Sequence, residues 1–202
     1  MQDTIISTLT VLSLVNLTDG DCWMKNERSG EGYLIADEQR FPTGILKLAE
    51  NLHSMGFKFG IYESAGEVTC QGLPGSIGYE EQDAKLFVSW GVDYLKYDNC
   101  GGGEPRASHS RMKRMRDALL KQDRSILFAL CQGGIDNVWE WGNKTGHSWR
   151  ISGDIWPYFP QHNWVEKSLM RKGNGIGSCI LLRYKLGLGI TRAPTAMATW
   201  IC

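Results

Sequence analysis

Several signatures that would assign a chemistry at once are missing from this chain. None of its six cysteines, at positions 22, 70, 100, 131, 179 and 202, forms a C-x-x-C pair. That excludes a zinc ribbon or a thioredoxin-type redox motif and leaves disulfides as their expected use. The four histidines stand apart at 53, 109, 147 and 162, with neither H-x-H nor H-x-x-x-H spacing, so no metal site is expected. There is no G-x-S-x-G elbow, and Gly101, Gly102 and Gly103 lead into neither G-K-[ST] nor G-x-G-x-x-G, so they read as a loop rather than a phosphate cradle. An excess of one charge is lacking too: 22 Lys and Arg balance 22 Asp and Glu. The isoelectric point is near 6.9, and nothing global attracts nucleic acid or anionic lipid. No apolar run approaches the roughly 18 residues of a membrane span, so no membrane partner is expected. The stretch Ile5 to Leu17 is broken by Ser7, Thr8, Thr10, Ser13 and Asn16, follows Asp3 and lacks a basic start. It reads as a buried strand rather than a signal peptide.

What is present is an ordinary globular composition: 42% hydrophobic and 22% charged residues in 202, enough for a packed core and against general disorder. The length falls short of the roughly 250 residues of a complete eight-fold β/α barrel, so the fold is small or the chain is incomplete. Eight Trp beside 24 Gly suit either an aromatic-faced, loop-rich sugar cleft or a Trp-rich core. Two sequons, Asn16-Leu17-Thr18 and Asn143-Lys144-Thr145, are consistent with a secretory route.

From about residue 44 the pattern alternates. Ile45, Leu48, Ala49, Leu52 and Met55 fall at helical spacing, Gly56 stops the turn, and Lys58 to Tyr62 reads as a strand. A second unit places a helix over Tyr79 to Trp90 and a strand over Val92 to Tyr97. A third places a basic helix over Ser108 to Lys121 and a strand over Ile126 to Leu130. A short helix near Asp136 to Trp141 and a strand around His147 to Ile151 complete the series. Strands without polar alternation, separated by helices, predict an α/β fold with a parallel sheet covered by helices, barrel or doubly wound. The basic cluster Arg111, Lys113, Arg114, Arg116 and Lys121 is expected on the solvated outer face of its helix rather than in an anion site.

Polar residues follow each expected strand: Asp19 and Asp21, then Tyr62 and Glu63, then Asp98, Gln132 and Asp154. In a β/α barrel those ends share the face on which active sites are assembled. Two carboxylates there suit glycoside hydrolysis, one attacking the anomeric carbon and the other moving a proton to and from oxygen. Asp98 and Asp154 are the best pair, with Lys96 supplying a positive charge near a carboxylate nucleophile. Each is equally readable as a turn aspartate, so spacing alone leaves both alternatives open.

At these same residues the chain resembles glycoside hydrolase family 27, the α-galactosidase and α-N-acetylgalactosaminidase group. The resemblance is carried by Asp21-Cys22-Trp23, by Arg40-Phe41-Pro42-Thr43-Gly44, by the run Gly56 to Tyr62 and by Thr69-Cys70. It continues through Pro74 to Glu80, Trp90 to Cys100 and Trp149 to Ile155, in order over roughly residues 14 to 170. It implies a (β/α)8 TIM-barrel enzyme that removes terminal α-linked galactose with retention, without a cofactor. Asp98 would be the nucleophile and Asp154 the acid/base, their carboxyl groups about 5 Å apart. Lys96 and Arg150 would contact galactose hydroxyls, Asp21 the O4/O6 side, Gln132 the 2-hydroxyl, and Tyr62 would line the pocket. The resemblance also implies a Cys70–Cys100 disulfide across this face and an α-galactoside oligosaccharide or glycoconjugate as substrate; the sequons and cysteines point to a secreted, glycosylated protein.

The chain departs from the family pattern in places. Gly20 separates Asp19 from Asp21 where the family has adjacent aspartates, and Gln132-Gly133-Gly134 keeps the amide but not the Trp that usually follows. The family's first strand with its Trp-Asn-Ser-Trp motif, its last strands and its C-terminal β-sandwich are not recognisable. The expectation is therefore a partial barrel over 1–170, with open sheet edges and marginal stability, and an aberrant tail over 171–202, as from a frameshift or mis-spliced exon. Two other readings stand beside the α-galactosidase: an inactive fragment or non-catalytic galactoside-binding protein, and the neighbouring α-N-acetylgalactosaminidase.

Overall fold

The computed structural model describes residues 14–16, 21–102 and 107–153. Asp19, Asp154 and the expected tail 171–202 lie outside the described residues. The strands are β1 (Leu14–Asn16), β2 (Met24–Arg28), β3 (Leu34–Ala36), β4 (Lys58–Ser64), β5 (Tyr94–Asp98), β6 (Leu127–Cys131) and β7 (Ser148–Trp149). The helices are α1 (Gly44–Ser54), α2 (Glu80–Ser89), α3 (Ser108–Leu120) and α4 (Val138–Trp141). Five strands form one parallel sheet in the order β1-β4-β5-β6-β7, with a helix in each crossover from β4 onward. The three strand and helix repeats expected from periodicity are all present, with boundaries shifted by at most two residues.

Two of these units end their helices in the same way. After α1, Gly56 takes φ +83° and its N–H donates to His53 O, while the Phe57 N–H donates to Leu52 O. After α2, Gly91 takes φ +72° and donates to Val88 O, while Val92 donates to Phe87 O. Each is a glycine-closed helix end in which the left-handed residue and the one after it satisfy two orphan carbonyls and turn the chain into the next strand. That is why a Gly followed by an apolar residue marks both junctions.

The sheet has two different faces. Phe59, Ile61, Leu95, Tyr97, Phe128 and Leu130 pack into the main core with Ala84 and Phe87 of α2 and Met112, Met115 and Ala118 of α3. The alternate residues Tyr62, Tyr94, Ala129 and Cys131 are buried but stand outside that core. Strand alternation therefore delivers one set of side chains to the helices and the other to the interior and the C-terminal mouth of the sheet.

The hairpin β2–β3 has no counterpart in the periodicity reading. Of Met24–Arg28 only Met24 is buried, so the strand carries no apolar alternation. What holds it is Arg28: its guanidinium makes two hydrogen bonds of 2.7 Å to Asp83 of α2, donates at 2.8 Å to Gly75 O and Gly32 O, and lies 4.2 Å from the Tyr79 ring centroid. With four of its five N–H donors used in this way, the cation's hydrogen bonds offset much of the cost of burying it. Trp23 beside the hairpin is 1% exposed and packs edge-on against Phe87 and Trp90.

Candidate active site

The C-terminal ends of β4, β5, β6 and β7 open into a cleft of about 420 Å³. Asp21, Tyr62, Cys70, Lys96, Asp98, Cys100, Gln132 and Arg150 all line it, together with Gln71, Asn99, Cys131, Gly133 and Gly153. Every site residue expected from the sequence is therefore on one surface, except Asp154, which follows the last described residue. Register explains the convergence: Tyr62 pairs with Lys96, Ser64 with Asp98, and Asp98 with Cys131, so these side chains share the inner face. No Trp lines the cleft among the described residues, and the Trp-rich core is the better account of Trp23 and Trp90.

Asp98 ends β5 with both oxygens held. The Asn99 N–H donates to Oδ1 at 2.8 Å and the Tyr62 hydroxyl to Oδ2 at 3.1 Å. Burial, followed by the negative charge of Asp98, pushes the Tyr62 hydroxyl far above its ordinary pKa, so it stays protonated and serves as a donor. Lys96 places its Nζ 5.6 Å from the centroid of the Tyr62 ring. Cys70 and Cys100 form a disulfide, and Cys70 Sγ lies 3.4 Å from Asp98 Oδ2. The Tyr62 hydroxyl oxygen also lies 3.1 Å from this sulfur. Asp21 is 1% exposed and accepts the Gln71 N–H at 2.9 Å, which ties the loop after β4 to the segment before β2.

On the far wall Gln132 is 4% exposed, and its amide is engaged on both sides. Nε2 donates to Ile135 O at 2.9 Å and Oε1 accepts the Ile135 N–H at 2.8 Å. It therefore braces the turn through Gly133 and Gly134, leaving one N–H and one lone pair for the cleft. Gly134 is required there: at φ +77°, a Cβ would sit 2.0 Å from Ile151 O. Arg150 extends from the end of β7 and brings Nη1 to 3.7 Å from Cys131 Sγ. Burial, then the Asp98 charge, pushes the Cys131 thiol up to about 11, so it is a neutral neighbour and not a nucleophile.

Two expectations are corrected. Glu63 follows Tyr62 at a strand end, but alternation turns it away from the cleft into the layer between sheet and helices, where it is fully buried beside Tyr97, its register partner. Its Oε2 has no hydrogen-bond partner among the described residues, and burial holds the carboxyl well above the ordinary range. Arg111 does not sit on a solvated face: it is 4% exposed. Its Nη2 and Nε donate to Asn99 Oδ1 at 2.7 and 3.3 Å and its Nη1 to Gly102 O at 2.7 Å. It thus clamps the turn immediately after Asp98 from behind. The signal was available, since Ser108, Arg111, Met112, Met115 and Ala118 form one buried stripe of α3.

At the opposite end of the sheet a smaller cavity of about 230 Å³ is lined by His53, Gly56, Phe57, Lys58 and Arg124 around Asp93. Asp93 is saturated there by His53 at 2.6 Å, Arg124 at 2.6 Å, Lys58 at 3.3 Å and the Phe59 N–H at 2.9 Å.

Comparison with known proteins bears on the family and the fold. A family described as alpha galactosidase A matches residues 11–159. Alpha-galactosidase mel1 of Schizosaccharomyces pombe is 55% identical over 144 residues, covering 69% of this chain and 33% of that protein. Alpha-galactosidase 2 of Arabidopsis thaliana is 43% identical over 173 residues, covering 84% of this chain and 42% of that protein. Among solved structures, the α-galactosidase of Saccharomyces cerevisiae with raffinose superposes with a TM-score of 0.69 at 43% identity, covering 77% of this chain and 34% of that one. Alpha-galactosidase I of Mortierella vinacea superposes at 0.67 with 44% identity, covering 75% and 38%. The chain spans about a third of the length of curated relatives that it matches. Its five-stranded parallel sheet is accordingly part of a β/α barrel rather than a doubly wound sheet.

Proposed function

Because the chain belongs to the alpha galactosidase A family, we propose that its cleft hydrolyses terminal α-linked galactose from galactosides with retention, by double displacement. The observation that carries this reading is the setting of Asp98. It is a carboxylate at the C-terminal end of a barrel strand, fixed by Tyr62 and Asn99, facing an open cleft that also holds Lys96, Asp21 and Arg150. An Asp98 oxygen attacks the anomeric carbon as the bond to the glycosidic oxygen breaks. The leaving oxygen takes a proton from Asp154, whose role rests on the family resemblance. Water, deprotonated by Asp154, then cleaves the galactosyl ester and restores Asp98. The tyrosine and amide hydrogen bonds orient the carboxylate plane while leaving lone pairs for attack.

Lys96, Asp21 and Arg150 supply the charged partners for galactose hydroxyls. Gln132, locked against Ile135 at the cleft wall, supports a 2-hydroxyl over a bulkier acetamido group. Oligosaccharides of the raffinose type, bound by the yeast relative, are the corresponding substrate class. A secretory route is supported by the Cys70–Cys100 disulfide and by the exposure of Asn143 in its sequon.

The test is release of p-nitrophenol from its α-galactoside by the chain produced in a secretory host, with Asp98→Asn beside it. Turnover that disappears in the variant supports the reading. A folded, soluble chain that binds galactose without turnover favours the galactoside-binding alternative, and turnover that survives in Asp98→Asn overturns the assignment of the nucleophile.

A further inference from the structure

We propose that reduction of the Cys70–Cys100 disulfide converts the cleft into a metal site. The two thiolates and the Asp98 carboxylate would hold a borderline divalent cation such as Zn²⁺, with the fourth position open to the cleft. The ligand atoms are already gathered, because the Cys70 and Cys100 sulfurs and an Asp98 oxygen lie within 4.8 Å of one another. The distance of 3.4 Å from Cys70 Sγ to Asp98 Oδ2 is close to the edge of about 3.5 Å that a tetrahedral ion with ordinary metal–sulfur and metal–oxygen distances spans. The two sulfurs have to part, to about 3.8 Å, by rotation about the cysteine Cα–Cβ bonds, with Cys100 Sγ coming to the same edge of about 3.5 Å from the Asp98 oxygen. The Cα atoms, 5.1 Å apart, need no displacement.

The backbone around these ligands is held by more than the disulfide. Ser64 Oγ donates to Cys100 O at 3.0 Å, the Ala65 N–H to Asp98 O at 2.8 Å and the Glu67 N–H to Gly101 O at 3.1 Å. These bonds lock the loop after β4 to the turn after β5, so loss of the S–S bond leaves both cysteines facing Asp98. Two thiolates and one carboxylate carry three negative charges against a divalent ion, and Lys96 and Arg150 on the same cleft offset the remainder. Sulfur ligands select a softer ion over Mg²⁺ or Ca²⁺.

The chemistry balances with a dithiol as reductant. It gives two electrons and two protons to the disulfide, is itself oxidised to a disulfide, and leaves two thiols here. Metal binding then displaces the thiol protons into solvent. Geometrically the site stands without the proposed hydrolase activity. Its consequence, that the ion occupies Asp98 and arrests turnover until a chelator or oxidant removes it, rests on that reading.

The test uses the full chain with the other thiols removed (Cys22→Ser, Cys131→Ser, Cys179→Ser, Cys202→Ser), reduced with a dithiol, desalted without oxygen and titrated with Co²⁺. A saturable thiolate-to-cobalt charge-transfer band at one ion per chain, absent from the oxidised protein, is expected. Asp98→Asn should keep the band and weaken binding at least about tenfold, as loss of a ligand costs no less than loss of its supporting shell. Cys70→Ser and Cys100→Ser should each abolish it. No saturable band from reduced protein, equal affinity in Asp98→Asn, or loss of the native circular dichroism on reduction would each overturn the proposal. A cobalt band in a chain whose oxidised form has no galactosidase activity leaves the metal site standing and removes the hydrolase reading instead.

Discussion

Asp93 and Asp98 stand at opposite ends of β5, five residues apart, and differ in what their oxygens face. Asp93 meets an imidazole, an ammonium, a guanidinium and a backbone amide, and its lone pairs are spent on holding the N-terminal ends of β4 and β5 together. Asp98 receives one amide and one tyrosine hydroxyl, has the Cys70 sulfur at 3.4 Å, and otherwise faces the cleft. The first is a structural carboxylate and the second is the one proposed as nucleophile. The contrast lies in coordination, since both side chains are acidic residues flanking one strand.

Exchanging either aspartate for its amide should separate the two roles. Asp98→Asn should lower kcat on an α-galactoside at least ~1,000-fold, with the melting temperature nearly unchanged, because an amide keeps the shape but cannot form the ester. A variant retaining a tenth of wild-type turnover would erase the distinction. Arg111→Met reaches Asp98 from behind: it strands Asn99 Oδ1 and Gly102 O, so a loss of about 2–3 kcal/mol in denaturant unfolding is expected. Amide exchange should also speed up selectively over Asn99 to Gly102, and kcat should fall with little change in KM. Uniform loss of protection across the sheet would show that Arg111 supports the fold without positioning the nucleophile.

Asp93→Asn should leave KM and kcat within about twofold but cost about 1–2 kcal/mol, a figure held down by the partial exposure of Lys58 and Arg124. The same residue sets a pH signature. Burial raises the Asp93 carboxyl, but the Phe59 amide, His53 and Lys58 outweigh it, so the folded pKa lies below the ordinary 3.8. Its contribution is present above that value and is lost as pH falls from 3.8 through the folded value. Glu63 behaves oppositely. With its folded pKa raised by burial from 4.5, its contribution is present below 4.5 and is lost as pH climbs towards the folded value. Glu63→Gln should flatten this alkaline-side loss in thermal melts from pH 5 to 8, the smallest effect of the set. An unchanged pH profile would show that Glu63 is not the group responsible.

Much of the sheet was readable because its causes are local. Two-sided apolar strands, helical spacing and the closing glycines at 56 and 91 occupy neighbouring positions in the chain. The cleft was readable in part, since polar residues at strand ends must emerge on one side of a parallel sheet. The hairpin Met24–Arg28 was not, because its alternation is polar and its anchor, Asp83, is 55 residues away. Glu63 was misplaced because a one-residue step along a strand reverses the face, and the inferred strand ended too early to show it.

What the sequence determined by itself is the succession of strands and helices, where each helix stops, and which acidic and basic residues end the strands, all consequences of periodicity and local backbone preference. Tertiary structure alone decided that Cys70 lies beside Asp98, that Arg111 grips the turn behind it, and that Glu63 is sealed under α2. Those contacts join residues nine or more positions apart or on opposite faces of a strand, and only strand register and helix packing set their distances.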